Sequence, residues 1–375
     1  MRRAEVDIAV VGAGIIGCAI AWECVRRGAT VTLVDAGEPG RQASGAAAGM
    51  LAPGSEAHGP GAFLDFGMSS LAMWPSFATS LAEASGFDTG LALDGLLRIA
   101  ADEADAFDIR ERLAWQRAAG IEVEWVDGAE AHTLEPALAE HRHRGAAWYA
   151  GEGHVDSPAT VAALVAAVRG AGADVVRGAR VEGWAPSGAL RLKGGETLEA
   201  AAVVVAAGSW SGELIAALGA QPLPVRPVRG QLLALEGVKP IPKRVLFGGL
   251  LGYAVGKADG SVLVGATEED AGFDSSPTPA ATEHLTGVAQ ALLAGAPAAT
   301  RTSAWAGLRP RTPDALPILG EVYAGDAVAR LFVATGHHRN GVLLAPATAA
   351  GMAQLILDGS TPAGWEPFSP RRFTV

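Results

Sequence analysis

The sequence predicts a mixed α+β/α/β protein in two interleaved parts, one built on a parallel sheet and one on an antiparallel sheet. Three observations carry that expectation. Residues 6–34 read as a buried strand, a glycine turn, a helix and a second strand. A strand, glycine turn and helix recur close to the end, in "LFVATGHHRNGVLLAPATAAGMAQLILDG". Between them, residues 229–309 fall into alternating, strand-like segments separated by turns.

The elements follow in order. Val6 to Val11 is apolar except for Asp7, the pattern of a parallel strand covered on both faces. A helix runs from about Gly14 to Arg27, Gly28 ends it, and Thr30 to Val34 is the next strand; the connection is a right-handed βαβ unit. Gly37 to Gly54 is a long loop of small residues, of the kind that wraps a ligand. Helical spacing covers Phe63 to Ser85, and Leu93 to Ala100 reads as a strand. "EADAFDIRERLAWQRAAG" is an amphipathic helix ended by Gly120. In "GHVDSPATVAALVAAVRG", Ser157 before Pro158 is the expected N-cap. Ala201 to Ser211 is a buried strand running into a glycine turn, and the "ADG" at 258–260 is a hairpin turn.

The chain has 375 residues, enough for two domains with a well-buried core. Hydrophobic residues make up 49% and charged residues 18%, which sets it apart from disordered chains. The net charge of -11, with no basic run, argues against a nucleic-acid partner. The two cysteines, Cys18 and Cys24, fall on different faces of the first helix and are not expected to bond. Acidic residues and glycines interrupt the N-terminus before a signal-peptide core forms, and no apolar stretch reaches the roughly 20 residues of a membrane span. A cytoplasmic location is the expectation.

Gly12, Gly14 and Gly17 make the pattern G-x-G-x-x-G between strand and helix, enclosing Ala13 and Ile16. The first glycine permits the tight turn, the second lets backbone approach a pyrophosphate, and the third lets helix and sheet pack closely. The helix N-terminus offers unpaired N–H groups to phosphates. Asp35, followed by Ala36, ends the second strand 18 positions after Gly17, where a carboxylate can accept from a ribose diol and would repel a 2′-phosphate. The pattern predicts a Rossmann-like dinucleotide site, and by itself leaves FAD and NAD open.

"SGAAAGMLAP", "VVVAAGSWS", "WAGLRPRTPDALPILG" and "ATGHHRNGVLLAPATA", together with the opening, resemble the D-amino-acid oxidase family of flavoproteins, in particular its glycine oxidase branch of thiamine synthesis. These segments spread over residues 6–358. The resemblance implies a discontinuous Rossmann-like FAD-binding domain of residues 1–85, 155–228 and 310–375. It implies an antiparallel-sheet substrate domain of residues 86–154 and 229–309. It places FAD against Ala43, Ser44, Ala48, Gly49 and Met50, against Val181 at the adenine, against Gly208, and against His337, His338, Arg339, Asn340, Gly341, Val342 and Leu343 along the flavin's pyrimidine edge.

For the substrate, the resemblance marks Arg309 as the carboxylate-binding arginine, whose fork makes two parallel hydrogen bonds. Tyr253 adds a hydroxyl or shapes the pocket, and Arg339 is a second arginine beside the flavin; Arg311, two positions beyond Arg309, matches no functional position. The implied reaction moves a hydride from the substrate's α-carbon to flavin N5 without a side-chain base. Dioxygen then yields hydrogen peroxide, and the imine hydrolyses to a 2-oxo acid and ammonia. Glycine, sarcosine and small D-amino acids are the implied substrates, a homotetramer the implied assembly, and a thiazole-synthesis enzyme the implied partner. A quinone-linked dehydrogenase of the same fold and a flavin-binding scaffold without turnover are the alternatives. No metal is expected: His132, His141 and His143 lie in a polar surface stretch, and Glu152 and Asp156 read as structural.

Overall fold

The structure, a computed structural model, describes residues 6–140, 143–325 and 329–373. Its first sheet has six strands in the order Ile318–Val322, Arg330–Thr335, Ala200–Val205, Val6–Val11, Val31–Val34 and Asp174–Val176. Five of them run parallel, and Ile318–Val322 pairs antiparallel on the edge. The central strands show no apolar–polar alternation because both faces are covered, so Ala9, Val10, Leu33, Val34 and Val203 to Val205 are all fully buried. One face packs on the helices Ile15–Arg26, Ser157–Gly170 and Ala345–Ala353, with the long helix Ala62–Ser85 outside them. The other packs on a small antiparallel sheet of residues 181–198 and the helix Ser211–Ala217.

The second sheet has eight strands, from Thr300–Arg311 through Arg226–Glu236, Val262–Gly265, Tyr253–Gly256, Val245–Phe247, Leu96–Ile99 and Ala146–Tyr149 to Val123–Val126. All pairings are antiparallel except Val245–Phe247 with Leu96–Ile99, which run parallel and join two separate stretches of chain. Tyr253–Gly256 and Val262–Gly265 form the hairpin expected around "ADG", with Gly260 at φ 89°. The helix Glu103–Ala118 covers one face. On the other lies Pro279–Leu292, a helix that the strand-like reading of 229–309 did not include; its apolar residues Leu285, Val288, Ala289 and Leu292 recur at helical spacing.

Two local expectations need correction. The N-cap of Ser157–Gly170 is Asp156, not Ser157: the Asp156 carboxylate accepts from Ala159 N at 2.7 Å. Ser157 Oγ donates to Ser44 O at 2.6 Å instead, tying this helix to the loop after the second strand. That loop is also more ordered than a plain coil. It contains the single turns Ala43–Ala46 and Pro53–Glu56 and a short strand Met50–Leu51 that pairs with Gly153–His154. Both cysteines are buried and unbonded.

Candidate active site

The glycine turn shows why two of its three glycines must be glycine. Gly12 has φ 111°, and a Cβ there would collide with the backbone of Ala206 and Ala207. A Cβ on Gly17 would strike the carbonyl of Gly12, so the helix sits against the turn with no room to spare. Gly14 is the N-cap of the helix and lines the cavity; a Cβ there would stand 3.2 Å from Ser44 Oγ. Asp35 braces the same turn: its Oδ2 accepts from Ala13 N and its Oδ1 from Gly37 N, each at 2.7 Å.

From this turn a cavity of about 780 Å³ runs to the edge of the eight-stranded sheet. Such a volume falls within the roughly 300–1,000 Å³ of ligand pockets. Its wall at the turn includes Gly12, Gly14, Ile16, Asp35, Ala36 and Val181. Its middle is formed by Ala43, Ser44, Ala48, Gly49, Met50 and Gly208, and its far end by Tyr253, Arg309, His337, His338, Arg339, Gly341 and Val342. Four of the expected residues stand behind the wall. Ala13 and Gly17 are buried in the turn, Asn340 N donates to His337 O within the loop, and Leu343 O receives Ser70 Oγ at 2.7 Å and Trp74 Nε1 at 3.0 Å.

The lining loop is held by the second sheet. Trp305 Nε1 donates to Ala46 O at 3.1 Å, and Lys257 Nζ donates to Ala48 O at 2.6 Å and Val155 O at 2.9 Å. Gly307 makes room for the methyl group of Ala46. Burial lowers the Lys257 ammonium to about 8. Lys257, Trp305 and Gly307 were not anticipated from sequence.

Arg309 lies on the strand paired with Arg226–Glu236, in the register Val228 to Arg309 and Gly230 to Gly307. On this shared face the guanidinium folds flat over Gly230, and any side chain on Gly230 would occupy its place. Arg309 Nη1 donates to Thr267 O at 3.0 Å, which leaves the rest of the fork unbonded among the described residues. Tyr253 packs over Gly265 in the same way, its ring filling the space a Cβ would need. Burial raises the Tyr253 hydroxyl, so it stays protonated as a donor. Arg311 pairs with Glu268 at 2.6 Å and is not part of the cavity wall.

His338 sits at φ 48°, held by its N–H to Pro310 O at 2.9 Å. Its Nε2 is buried without a hydrogen-bond partner, and Glu268 stands 3.9 Å away. Burial first, then Arg309, Arg339, Arg311 and Arg226, pushes its imidazole down to about 3. His337 Nε2 meets Thr348 Oγ1 at 3.1 Å, and burial pushes it to about 3 as well. Arg339 is paired with Glu56 at 3.6 Å, a carboxylate that also lines the cavity and was not anticipated.

The cavity fits an extended flavin dinucleotide: a helix N-terminus and Cβ-free turn at one end, a wall of small residues in the middle, and cations at the other. Outside it, His132 pairs with Glu140 at 3.1 Å, and His141 lies outside the described residues. Glu152 is buried beneath the helix Pro53–Glu56 and accepts from Gly54 N at 2.5 Å and Ser55 N at 3.0 Å.

Comparison with known proteins agrees with this geometry. The sequence model of the family described as DAO, FAD dependent oxidoreductase, matches residues 7–355. A glycine oxidase of Geobacillus kaustophilus is 35% identical over 368 residues, covering 98% of this chain and 97% of that protein. The crystal structure of glycine oxidase from that organism superposes with a TM-score of 0.92 over 98% of both chains. A bifunctional protein ThiO/ThiG of Trichormus variabilis is 35% identical over 359 residues; 94% of this chain corresponds to 53% of that protein.

Proposed function

The chain belongs to the DAO family of FAD-dependent oxidoreductases, and on that premise we propose that it is an oxidase of small amino acids, glycine foremost. One observation carries the substrate class. A guanidinium is laid over a bare glycine backbone with most of its fork unbonded, at the end of the cavity opposite the phosphate-binding turn. Such a fork suits a carboxylate, which accepts two parallel hydrogen bonds.

FAD, when bound, would supply the two-electron acceptor for the hydride from the substrate's α-carbon, with dioxygen as the final oxidant and the two electrons and two protons taken from the amine leaving as hydrogen peroxide. The chain supplies position and field. Arg309 holds the carboxylate and Tyr253 donates its hydroxyl beside it. With the amine bound neutral, its lone pair drives the transfer and no side-chain base is needed. Small residues at Ala43, Ala48 and Gly49 let backbone approach the flavin, and His337 to Leu343 run along its edge ahead of the helix Ala345–Ala353, whose N-terminus favours negative charge. Asp35 and Val181 take the adenosine end. The fused ThiO/ThiG relatives support a partner in thiazole synthesis.

The test is a panel of glycine, sarcosine, D-alanine and D-proline mixed with the yellow holoenzyme under nitrogen. Bleaching by glycine, and peroxide release on admitting air, are the expected results. A flavin that stays oxidised with all four would rule out amine oxidation. Bleaching without peroxide in air would assign a different acceptor.

A further inference from the structure

The substrate end of the cavity holds two arginines but one unpaired positive charge. Arg339 faces Glu56 at 3.6 Å, and Glu56 is the first influence on its guanidinium, raising it. Arg309 has no carboxylate partner among the described residues; its donor contact is the Thr267 carbonyl. Glu56 stands at the C-terminal end of the turn Pro53–Glu56, which is clamped from below. Glu152 accepts the N–H groups of Gly54 and Ser55, Gln116 Nε2 donates to Gly54 O at 3.0 Å, and Arg98 Nη1 donates to Ser55 O. The side chain of Glu56 is only 12% exposed, against 37% for Arg339. A buried network therefore holds the backbone of the turn that carries Glu56, and the carboxylate's ion pair is with the more accessible Arg339.

We propose that Glu56 sets specificity for substrates with one negative group, because it neutralises Arg339 and leaves Arg309 as the cation offered to a carboxylate. A substrate with a second carboxylate would meet the Glu56 charge beside Arg339, and like charges in a partly dehydrated cleft repel strongly. Without that negative charge, Arg339 becomes a second carboxylate site on the same cavity. This rests on the reading of Arg309 as the carboxylate anchor, and it predicts which amino acids are refused.

The test uses inert probes, so that it does not depend on turnover. Methoxyacetate carries one carboxylate and oxydiacetate two on the same ether chain, and each is titrated into the FAD-loaded enzyme by its perturbation of flavin absorbance. In the wild type, methoxyacetate binds more tightly. Glu56→Gln should raise the affinity for oxydiacetate relative to methoxyacetate at least tenfold, and adding Arg339→Met should return the ratio to near the wild-type value. Arg339→Met alone, which leaves Glu56 uncompensated, should move the ratio the other way. An unchanged ratio in Glu56→Gln, or weakened methoxyacetate with no gain for oxydiacetate, would overturn the proposal. Should Glu56→Gln not fold, an Arg339→Met ratio equal to the wild type would overturn it equally. Glycine reduction of the wild-type flavin, read separately, decides the underlying activity.

Discussion

Arg309 and Gly230 act as one unit at the residue scale. The arginine supplies the charge, and the glycine on the neighbouring strand supplies the bare backbone on which the guanidinium lies. Arg309→Met should keep bound FAD and weaken glycine binding by about 1.5–3 kcal/mol, the worth of hydrogen bonds to a charged group. An anaerobic titration of flavin reduction measures it, and an unchanged apparent affinity would refute the anchor. Gly230→Ala tests the floor beneath the guanidinium. Its methyl group would push the guanidinium off its seat, and misplacement of a substrate clamp lowers kcat/KM for glycine on the order of 10- to 100-fold with FAD retained. If Gly230→Ala matches the wild type, the guanidinium does not depend on that floor.

At the scale of elements, the opening helix is positioned by contact between two turns of backbone. Gly17 touches the Gly12 carbonyl, so Gly17→Ala must lift the helix from the sheet. Overpacking of this kind costs about 1–3 kcal/mol, and it moves the helix N-terminus away from the phosphates. The expected outcome is a lower thermal midpoint together with loss of yellow colour on gel filtration. A fully loaded Gly17→Ala enzyme would contradict the phosphate-turn assignment. The cavity-lining loop depends in the same way on the second sheet, through Trp305 Nε1 and Lys257 Nζ to its carbonyls.

For the whole molecule, buried titratable groups make stability depend on pH in two windows of opposite sign. Burial lowers His154 to about 4 and His337 and His338 to about 3, from the ordinary 6.5. The unfolded chain therefore binds more protons in that interval. Their contribution is complete above pH 6.5 and is lost as the pH drops toward 4 and 3. Glu152 works the other way: burial raises it from 4.5 to about 7, so its contribution is complete below pH 4.5 and is lost as the pH rises through 7. Thermal midpoints of the holoenzyme across this range of pH should show both limbs. Where the windows overlap the three histidines outweigh the single carboxyl, so Glu152→Gln should steepen the rise of the thermal midpoint between pH 4.5 and 6.5 and remove the fall through 7; an unaltered profile would show that this carboxyl does not titrate there.

The order of residues alone was sufficient for the opening strand, turn and helix, although it misplaced the cap of Ser157–Gly170 by one residue. The spacing of Gly12, Gly14 and Gly17, the apolar run before them and Asp35 after them specify a strand, a turn and a helix that read as a phosphate site, because a turn and its cap are local. Alternation in 229–309 likewise foretold the hairpin around Gly260, whereas the same composition hid the helix Pro279–Leu292 and a parallel pairing between distant strands. Gly230 in "VRGQLL" carried a weak signal, since a glycine inside a strand marks a close approach. Glu56 carried none: its role arises where a loop after the second strand meets Arg339, near the other end of the chain. Charge balance at a site is a sum over groups brought together by packing. The nearest neighbours of a carboxylate in space, and hence which arginine stays unpaired, are decided only when the two sheets close on one cavity.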